Sequence, residues 1–289
     1  MTVTVLPRLP PELVLLVAEH AARTQVHVCT SWVADLCLVC SNFRAVVTPI
    51  LYEHIALDDD TYQYFVATSR LPATPLVHTR SVVLVYEQYS KQSFESIARA
   101  LANVSAFTGP SRALAEMFHL VGRLTLSSAH LTDLTFAFNL GVAEMVHRLT
   151  RLHLLCELRQ GPHMGLDLSS SHVEYLVLDV LSYRRTINVE SVDLSPSTSL
   201  ALSPLRLRRA LFRPRCVKQI DVQRVAQKVV EWAKNRCDQR IYVDDTFVPF
   251  RDAERGWHWE ELEKRDAMEG DALWLGGHQA WCPQKCSLV

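Results

Sequence analysis

The side chains best placed to do chemistry in this chain are arginines. Arg206, Arg208, Arg209, Arg213, Arg215 and Lys218 follow one another with no acid between them. Arg123 and Arg151 stand beside the leucines of a recurring apolar-x-x-Leu-x-Leu pattern, as Arg206 does. A guanidinium binds carboxylate or phosphate through two parallel hydrogen bonds, so arginines repeated at matching places suit an acidic or phosphorylated peptide. Their plainer role is to keep an exposed sheet edge soluble and unpaired.

The sulfur and imidazole groups make weaker sets. Cys37-x-x-Cys40 has redox or metal spacing, but it lies in an apolar helical run without a second pair. His278, Cys282 and Cys286, with His258, would make a small zinc site lacking the usual paired C-x-x-C ligands. Cys286-Ser287-Leu288-Val289 has the C-a-a-X shape of a prenylation signal, without a typical last residue or a preceding polybasic run. A lipidated or metal-binding protein built on these cysteines is one alternative reading. No G-x-S-x-G, H-E-x-x-H, Walker loop or G-x-G-x-x-G occurs, and glycine numbers only nine. The chain is expected to be no enzyme and to need no metal or cofactor.

The elements that carry these residues follow from length and pattern. With 289 residues, 48% apolar and 21% charged, the chain has material for a substantial core and about two domains. Thirty basic residues against 31 acidic ones leave a net charge of −1, which argues against non-specific nucleic-acid binding. No apolar run is long enough for a membrane span, and the N-terminus lacks a secretory signal. Eight scattered cysteines in apolar runs suit reduced thiols, so the expected location is cytoplasmic or nuclear.

The middle of the chain repeats. The apolar-x-x-Leu-x-Leu pattern appears at Val121/Leu124/Leu126, Leu149/Leu152/Leu154, Val173/Leu176/Leu178 and Leu202/Leu205/Leu207. Such spacing belongs to stacked units of one short strand and one return segment, as in a leucine-rich-repeat solenoid. Pro204 interrupts the last match, and the strand there is alternatively Arg209 to Arg213 around Leu211. Val82 to Val85 fits a first rung and Ile241 to Val243 a last one, with helices patterned on Phe94/Ile97/Leu101/Val104, Leu134/Phe138/Val142/Val146 and Val222/Val225/Val229/Trp232. With the leucines inward, alternation puts Arg123, Arg151, His153, Tyr175, Arg206 and Arg208 on the open face as a candidate substrate-binding set. Trp257, Trp259, Trp274 and Trp281 surround a charged helix, Glu260 to Glu269, and would cap the open end.

The first fifty-odd residues differ. Leu9-Pro10-Pro11-Glu12-Leu13 opens an apolar helix, Leu36 to Arg44 sits in a second, and Pro49 to Ile55 closes the stretch, with Pro49 breaking or restarting the helix. A module this small has more apolar surface than it can hide internally. The L-P-x-E-L opening, the L-x-L-V-C-x-x-F-R block and the P-x-L-Y-E closing resemble an F-box, most closely that of the large fungal adaptor set. The connection Arg23 to Ser31 is longer than usual and has no Leu-Pro pair, which leaves the middle helix of the family's trio open.

The resemblance implies that Leu9, Pro10, Leu13, Val17, Leu36, Val39, Phe43 and Leu51 pack on the linker subunit of an SCF-type cullin-RING ubiquitin ligase or within the helix trio. F-box proteins commonly carry leucine-rich repeats behind the box. The expected fold is therefore α+β or α/β. Residues 1–57 would form an F-box-like module, 58–250 an irregular leucine-rich-repeat-like solenoid and 251–289 a tryptophan-rich cap. The expected function is a substrate adaptor, reaching a cullin through the linker subunit and holding an unknown protein substrate. An interaction scaffold outside ubiquitin transfer is the nearer alternative.

Overall fold

The computed structural model describes residues 9–85, 91–122, 124–133, 144–157, 168–182, 202–248, 251–252, 256–257, 266–267 and 270–282. Three helices come first: α1 (Pro11–Gln25), α2 (Thr30–Val39) and α3 (Ser41–Leu51). Pro11 starts α1 where its missing N–H costs nothing. The run Leu36 to Arg44, expected within one helix, is divided between two, because Cys40 turns fully extended between them at φ −163° and ψ 170°. The Cys40 Sγ then accepts the Phe43 N–H and serves as the N-cap of α3. Pro49 does not break α3, which runs on to Leu51. Ala22, Val33, Val47 and Ile50 form a small core for these helices, separate from the main one.

The rest is mixed α/β. Strands β1 (His54–Leu57), β2 (Ser81–Leu84), β3 (Ala106–Gly109), β4 (Ser128–Leu131), β5 (Arg151–Glu157), β6 (Tyr175–Ser182), β7 (Arg209–Cys216) and β8 (Ile241–Val243) lie side by side in chain order, all parallel. A ninth strand, β11 (His278–Gln279), adds antiparallel on β8. Between β8 and β11 come a two-strand ribbon, β9 (Arg251–Asp252) with β10 (Gly256–Trp257), and the short helix α8 (Asp271–Leu275). The other helices are α4 (Tyr62–Ser69), α5 (Lys91–Ala100), α6 (Ser111–Val121) and α7 (Gln219–Arg236), with a 3₁₀ turn at Pro75–His78.

One backbone device recurs at the start of the strands and sets their register. The Glu53 carbonyl accepts both the Arg80 and Ser81 N–H groups, and Arg80 does the same for Ser105 and Ala106. Ser105, Ser127, Thr150 and Glu174 continue the series into β7. Each strand thus hangs on a carbonyl just before its neighbour, which satisfies backbone donors that would otherwise be buried unpaired. The Ser105, Ser127 and Thr150 hydroxyls donate to the same line of carbonyls.

Alternation divides the sheet into two faces. Ile55, Val82, Phe107, Ala129, Leu152, Leu176, Ala210 and Ile241 share one row, and Leu84, Leu131, Leu154, Leu178, Phe212 and Val243 lie two positions on. These side chains pack with Phe94, Ile97, Leu114, Met117, Val222, Val225 and Val229 of α5, α6 and α7 in one core. The helices therefore cover one face of the sheet. Asp133 reaches back to the start of α6, where its carboxylate accepts the Ser111 N–H at 2.9 Å and the hydroxyl at 2.5 Å. That caps a helix whose Pro110 can offer no side-chain cap.

Some expected rungs move. Leu124 and Leu126 precede a strand instead of forming one, and β4 is the leucine-poor Ser-Ala-His-Leu stretch after them. Leu205 points into solvent and β7 begins at Arg209, in keeping with the alternative around Leu211. The edge of β7 facing β8 is paired only as far as Phe212, so Pro214 sits where no donor is needed on that side. The helix expected on Leu134 to Val142 and most of that at Glu260 to Glu269 lie outside the described residues.

Candidate functional site

The face of the sheet opposite the helices carries the polar side chains. One row across it reads His54, Ser81, Ala106, Ser128, Arg151, Tyr175 and Arg209. The next reads Val83, Thr108, His130, His153, Val177, Leu211 and Tyr242. Over the second half of this face lies a strap, residues 266–267 and 270–279. Leu273 and Trp274 of the strap bury against Val177 and Leu211, flanked by Tyr175 and Tyr242. Arg209 stacks 3.5 Å over the Tyr242 ring and donates to the Leu275 and Gly276 carbonyls, which holds the end of α8. Gly277 makes the turn into β11 at φ +76°, where a Cβ would meet the Val243 carbonyl at 2.6 Å.

Where the strap crosses the sheet, a buried ion cluster joins them. Arg213 donates to Asp179 through Nε–Oδ1 at 2.6 Å and Nη2–Oδ2 at 2.7 Å, and to Asp266 Oδ2 at 2.5 Å. Arg215 Nε lies 3.5 Å from Asp179, an ion-pair distance without a hydrogen bond. Two buried acids thus face two buried guanidiniums, and the charges balance. Burial alone would raise the Asp179 pKa, but Arg213, His153 and Arg215 together hold it well below the ordinary carboxylate value.

Two histidines adjoin the cluster. His153 Nε2 is 2.9 Å from Asp179 Oδ2, and the His130 ring stacks on His153 with centroids 3.6 Å apart and planes 10° apart. Burial lowers the pKa of both, further for His130, which also feels His153 beside it. His130, His153 and Asp179 each offer a ligand atom within 4.8 Å of the others. The geometry does not suit a metal. Imidazole lone pairs lie in the ring plane, so stacked rings aim them side by side, and Arg213 already takes both Asp179 oxygens.

The strap leaves the first half of the face open as a pocket of about 220 Å³. His54, Ser81, Ala106, Thr108, Ser128 and His130 line it from the sheet, with Arg151 at one side and Asp266, Ala267, Gly270, Leu273 and Trp274 across from them. Arg151 pairs with Asp271 at 2.6 Å and lies 5.8 Å from both the Tyr175 and Trp274 ring centres.

No family model, curated protein or solved structure matches this chain. Its chemistry therefore rests on the residues themselves.

The sequence-derived binding residues divide accordingly. Arg151, His153 and Tyr175 share the strap-side face, but His153 is buried under the strap instead of open to solvent. Arg206 and Arg208 precede β7 and are exposed, Arg208 pairing with Glu174 at 3.1 Å. Arg209 takes the strand position expected of them. Arg123 lies outside the described residues. Arg213 and Arg215, read as part of an exposed basic run, are buried. In the helical module Leu9, Pro10, Leu13, Val17 and Val39 are exposed, while Leu36, Phe43 and Leu51 are half-buried. Of the possible zinc ligands, His278 is exposed and Cys282 half-buried; Cys286 and His258 lie outside the described residues.

Thr108, Ser128 and His130 were missed, because β3 and β4 are four residues long and carry only one leucine between them, and Ser81 because β2 starts one residue before the rung read at Val82. A usable signal existed for the ion cluster. Asp179 interrupts the apolar run Tyr175 to Leu181, and a charge inside a strand covered on both faces demands a partner of opposite sign.

Proposed function

We propose that the chain is a substrate-recognition adaptor of an SCF-type cullin-RING ubiquitin ligase. In this reading α1–α3 are an F-box-like module that docks on the linker subunit and, through it, a cullin. The observation that carries the proposal is the exposed stripe on α1. Leu13, Leu16 and Val17 share one face of α1 and are 47%, 59% and 64% exposed, and Leu9, two residues before the helix, is 64% exposed. Single exposed leucines are ordinary, but three apolar side chains on one helical face beside exposed Leu9, in a module whose own core cluster has four buried residues, suit a surface made for another polypeptide. Helix-in-groove docking would take its affinity from such anchors.

The parallel strands in chain order, α5, α6 and α7 on one face of them and the recurring carbonyl device support reading residues 58–250 as an irregular leucine-rich-repeat-like solenoid. The strap would then be the C-terminal cap, folded over the open face. The adaptor holds its substrate beside the ubiquitin carrier and raises the local concentration of acceptor lysines, while the transfer chemistry belongs to other subunits. Among the described residues no helix is long and apolar enough to cross a membrane.

The test is affinity purification of the full-length protein and of the L13D/V17D double variant, chosen because both side chains are exposed. Wild type brings down the linker subunit and a cullin; the variant, equally stable to heat, brings down neither. Linker without cullin would favour a scaffold outside ubiquitin transfer. Absence of both from the wild-type sample would overturn the proposal.

A further inference from the structure

Two residues that line the pocket beside the strap, His130 and Asp266, carry buried polar atoms without a partner. Both ring nitrogens of His130 are buried without a hydrogen-bond partner, and so is Asp266 Oδ1, whose sister oxygen is taken by Arg213. Buried polar atoms are normally paired, so such a concentration around one pocket marks a place for a ligand or for water. Ser81, Thr108 and Ser128 add hydroxyls on the same wall, and Ala106 between them keeps the floor low.

The charges limit what fits. Arg151 is committed to Asp271, and Arg213 to Asp179 and Asp266. An incoming carboxylate would meet Asp266 with no uncommitted cation among the described lining residues. An ammonium or guanidinium would approach an acid already neutralised, with Arg213 bonded to it. A neutral group is favoured on both counts. The fixed inventory asks for donors: Asp266 Oδ1 can only accept, and neutral His130 offers one acceptor and one donor. A primary carboxamide brings two N–H donors and one carbonyl acceptor, with the three hydroxyls free to serve either.

We propose that this pocket binds a primary carboxamide, presented by an asparagine or glutamine side chain of a captured polypeptide or by a free small amide. The assignment deepens the adaptor reading by naming what the substrate would offer, and rests on it only for the polypeptide source. Trp274 and Leu273 would cover the methylene stem of such a side chain.

The experiment uses the full-length protein with ¹⁵N-labelled histidine, following the His130 ring nitrogens by NMR. N-acetyl-glutamine N-methylamide and acetamide are titrated beside the isosteric N-acetyl-glutamate N-methylamide and N-acetyl-lysine N-methylamide. Saturable shifts with the amides and none with the charged analogues are expected. Tighter binding of the blocked glutamine than of acetamide points to a polypeptide, and the reverse to a small amide. The S81A/S128A variant, its fold checked by circular dichroism, binds about fivefold more weakly, as loss of one or two hydrogen bonds requires. If that variant misfolds, S128A alone is read in the same way. Equal response to the glutamate analogue, or no saturable shift with either amide, overturns the proposal, the latter meaning that water alone fills the pocket. Because the readout needs no other subunit, its failure is distinguishable from failure to capture the linker.

Discussion

Arg213 grips Asp179 across the β6–β7 ladder through two parallel hydrogen bonds, at 2.6 and 2.7 Å, in a site closed to water. The same guanidinium holds Asp266, so one side chain ties two strands to the strap. Asp179→Ala would leave Arg213 and Arg215 facing one acid between them. Breaking such a buried pair costs about 3–5 kcal/mol. Urea unfolding of D179A should show a loss of that size, against under about 1 kcal/mol for Arg208→Ala on the exposed Glu174 bridge. Equal effects of the two variants would mean that the cluster is hydrated.

The histidine pair predicts a direction for pH dependence. Burial holds the native pKa values of His130 and His153 below the ordinary 6.5. Above 6.5 neither state binds a proton at these rings. As pH falls past 6.5 the unfolded rings protonate and the native ones do not, so stability declines until the native pKa is reached. Each ring contributes a slope of up to about 1.4 kcal/mol per pH unit. Unfolding free energies from pH 7.5 to 5 should therefore fall on the acid side, and fall less steeply in His130→Phe. A flat profile in the wild type would show the rings to be open to solvent.

Much of this arrangement could be read in the sequence, and the unread part has physical causes. β5, β6 and β8 follow from leucine, isoleucine and valine patterns, because strands buried on both faces read as apolar runs. β3 and β4 escaped because alanine, phenylalanine and glycine serve there where leucine serves elsewhere. Gly109 is one reason: its φ is +154°, and a Cβ would meet the Leu84 carbonyl at 2.9 Å, so no leucine could stand there. The repeating carbonyl device is made by the backbone and leaves almost no trace in side-chain pattern. The strap is a contact between residues far apart in sequence, which periodicity cannot reveal. Of the candidate site, Arg151 and Tyr175 were legible from alternation, whereas the Thr108 and Ser128 hydroxyls depended on strands that the leucines did not mark.

Cysteine chemistry separates the buried from the exposed sulfurs. Burial pushes the Cys156 and Cys216 thiols up to about 12, so almost no thiolate is present at neutral pH. Cys29, Cys40 and Cys237 are exposed. Brief iodoacetamide treatment of the native protein at pH 8, read by peptide mass spectrometry, should modify those three and spare Cys156 and Cys216 until denaturant is added. Early labelling of Cys156 would show that β5 is not covered by the helices.

Asp133 is the only described side chain that bonds the Ser111 N–H, and it comes from beyond the next strand. It therefore acts as a cap on α6 and as a clamp between neighbouring strand–helix units. Asp133→Ala should lower stability by about 0.5–2 kcal/mol, the range for loss of a helix cap. Asp133→Asn, which keeps an acceptor oxygen, should recover most of the loss. If the two variants unfold at the same denaturant concentration, charge at the start of α6 matters more than the hydrogen bond.

Gly277 governs whether the strap can seat. Its φ of +76° strains any other residue, and an added Cβ would lie 2.6 Å from the Val243 carbonyl and 2.8 Å from Leu211 Cδ1. Gly277→Ala must therefore shift β11 off β8, and Trp274 with it, exposing Val177 and Leu211 on the sheet below. On the opposite face the change reaches the main core where Ala280 and Trp281, just after β11, pack against it, and leaves the layer under α5 and α6 in place. Hydrogen exchange should then quicken at Ala280, whose N–H bonds to the Ile241 carbonyl, while Leu154 and Leu178 at the centre of the sheet keep their protection. Uniformly faster exchange across β5 and β6 would instead show that strap and sheet unfold as one cooperative unit.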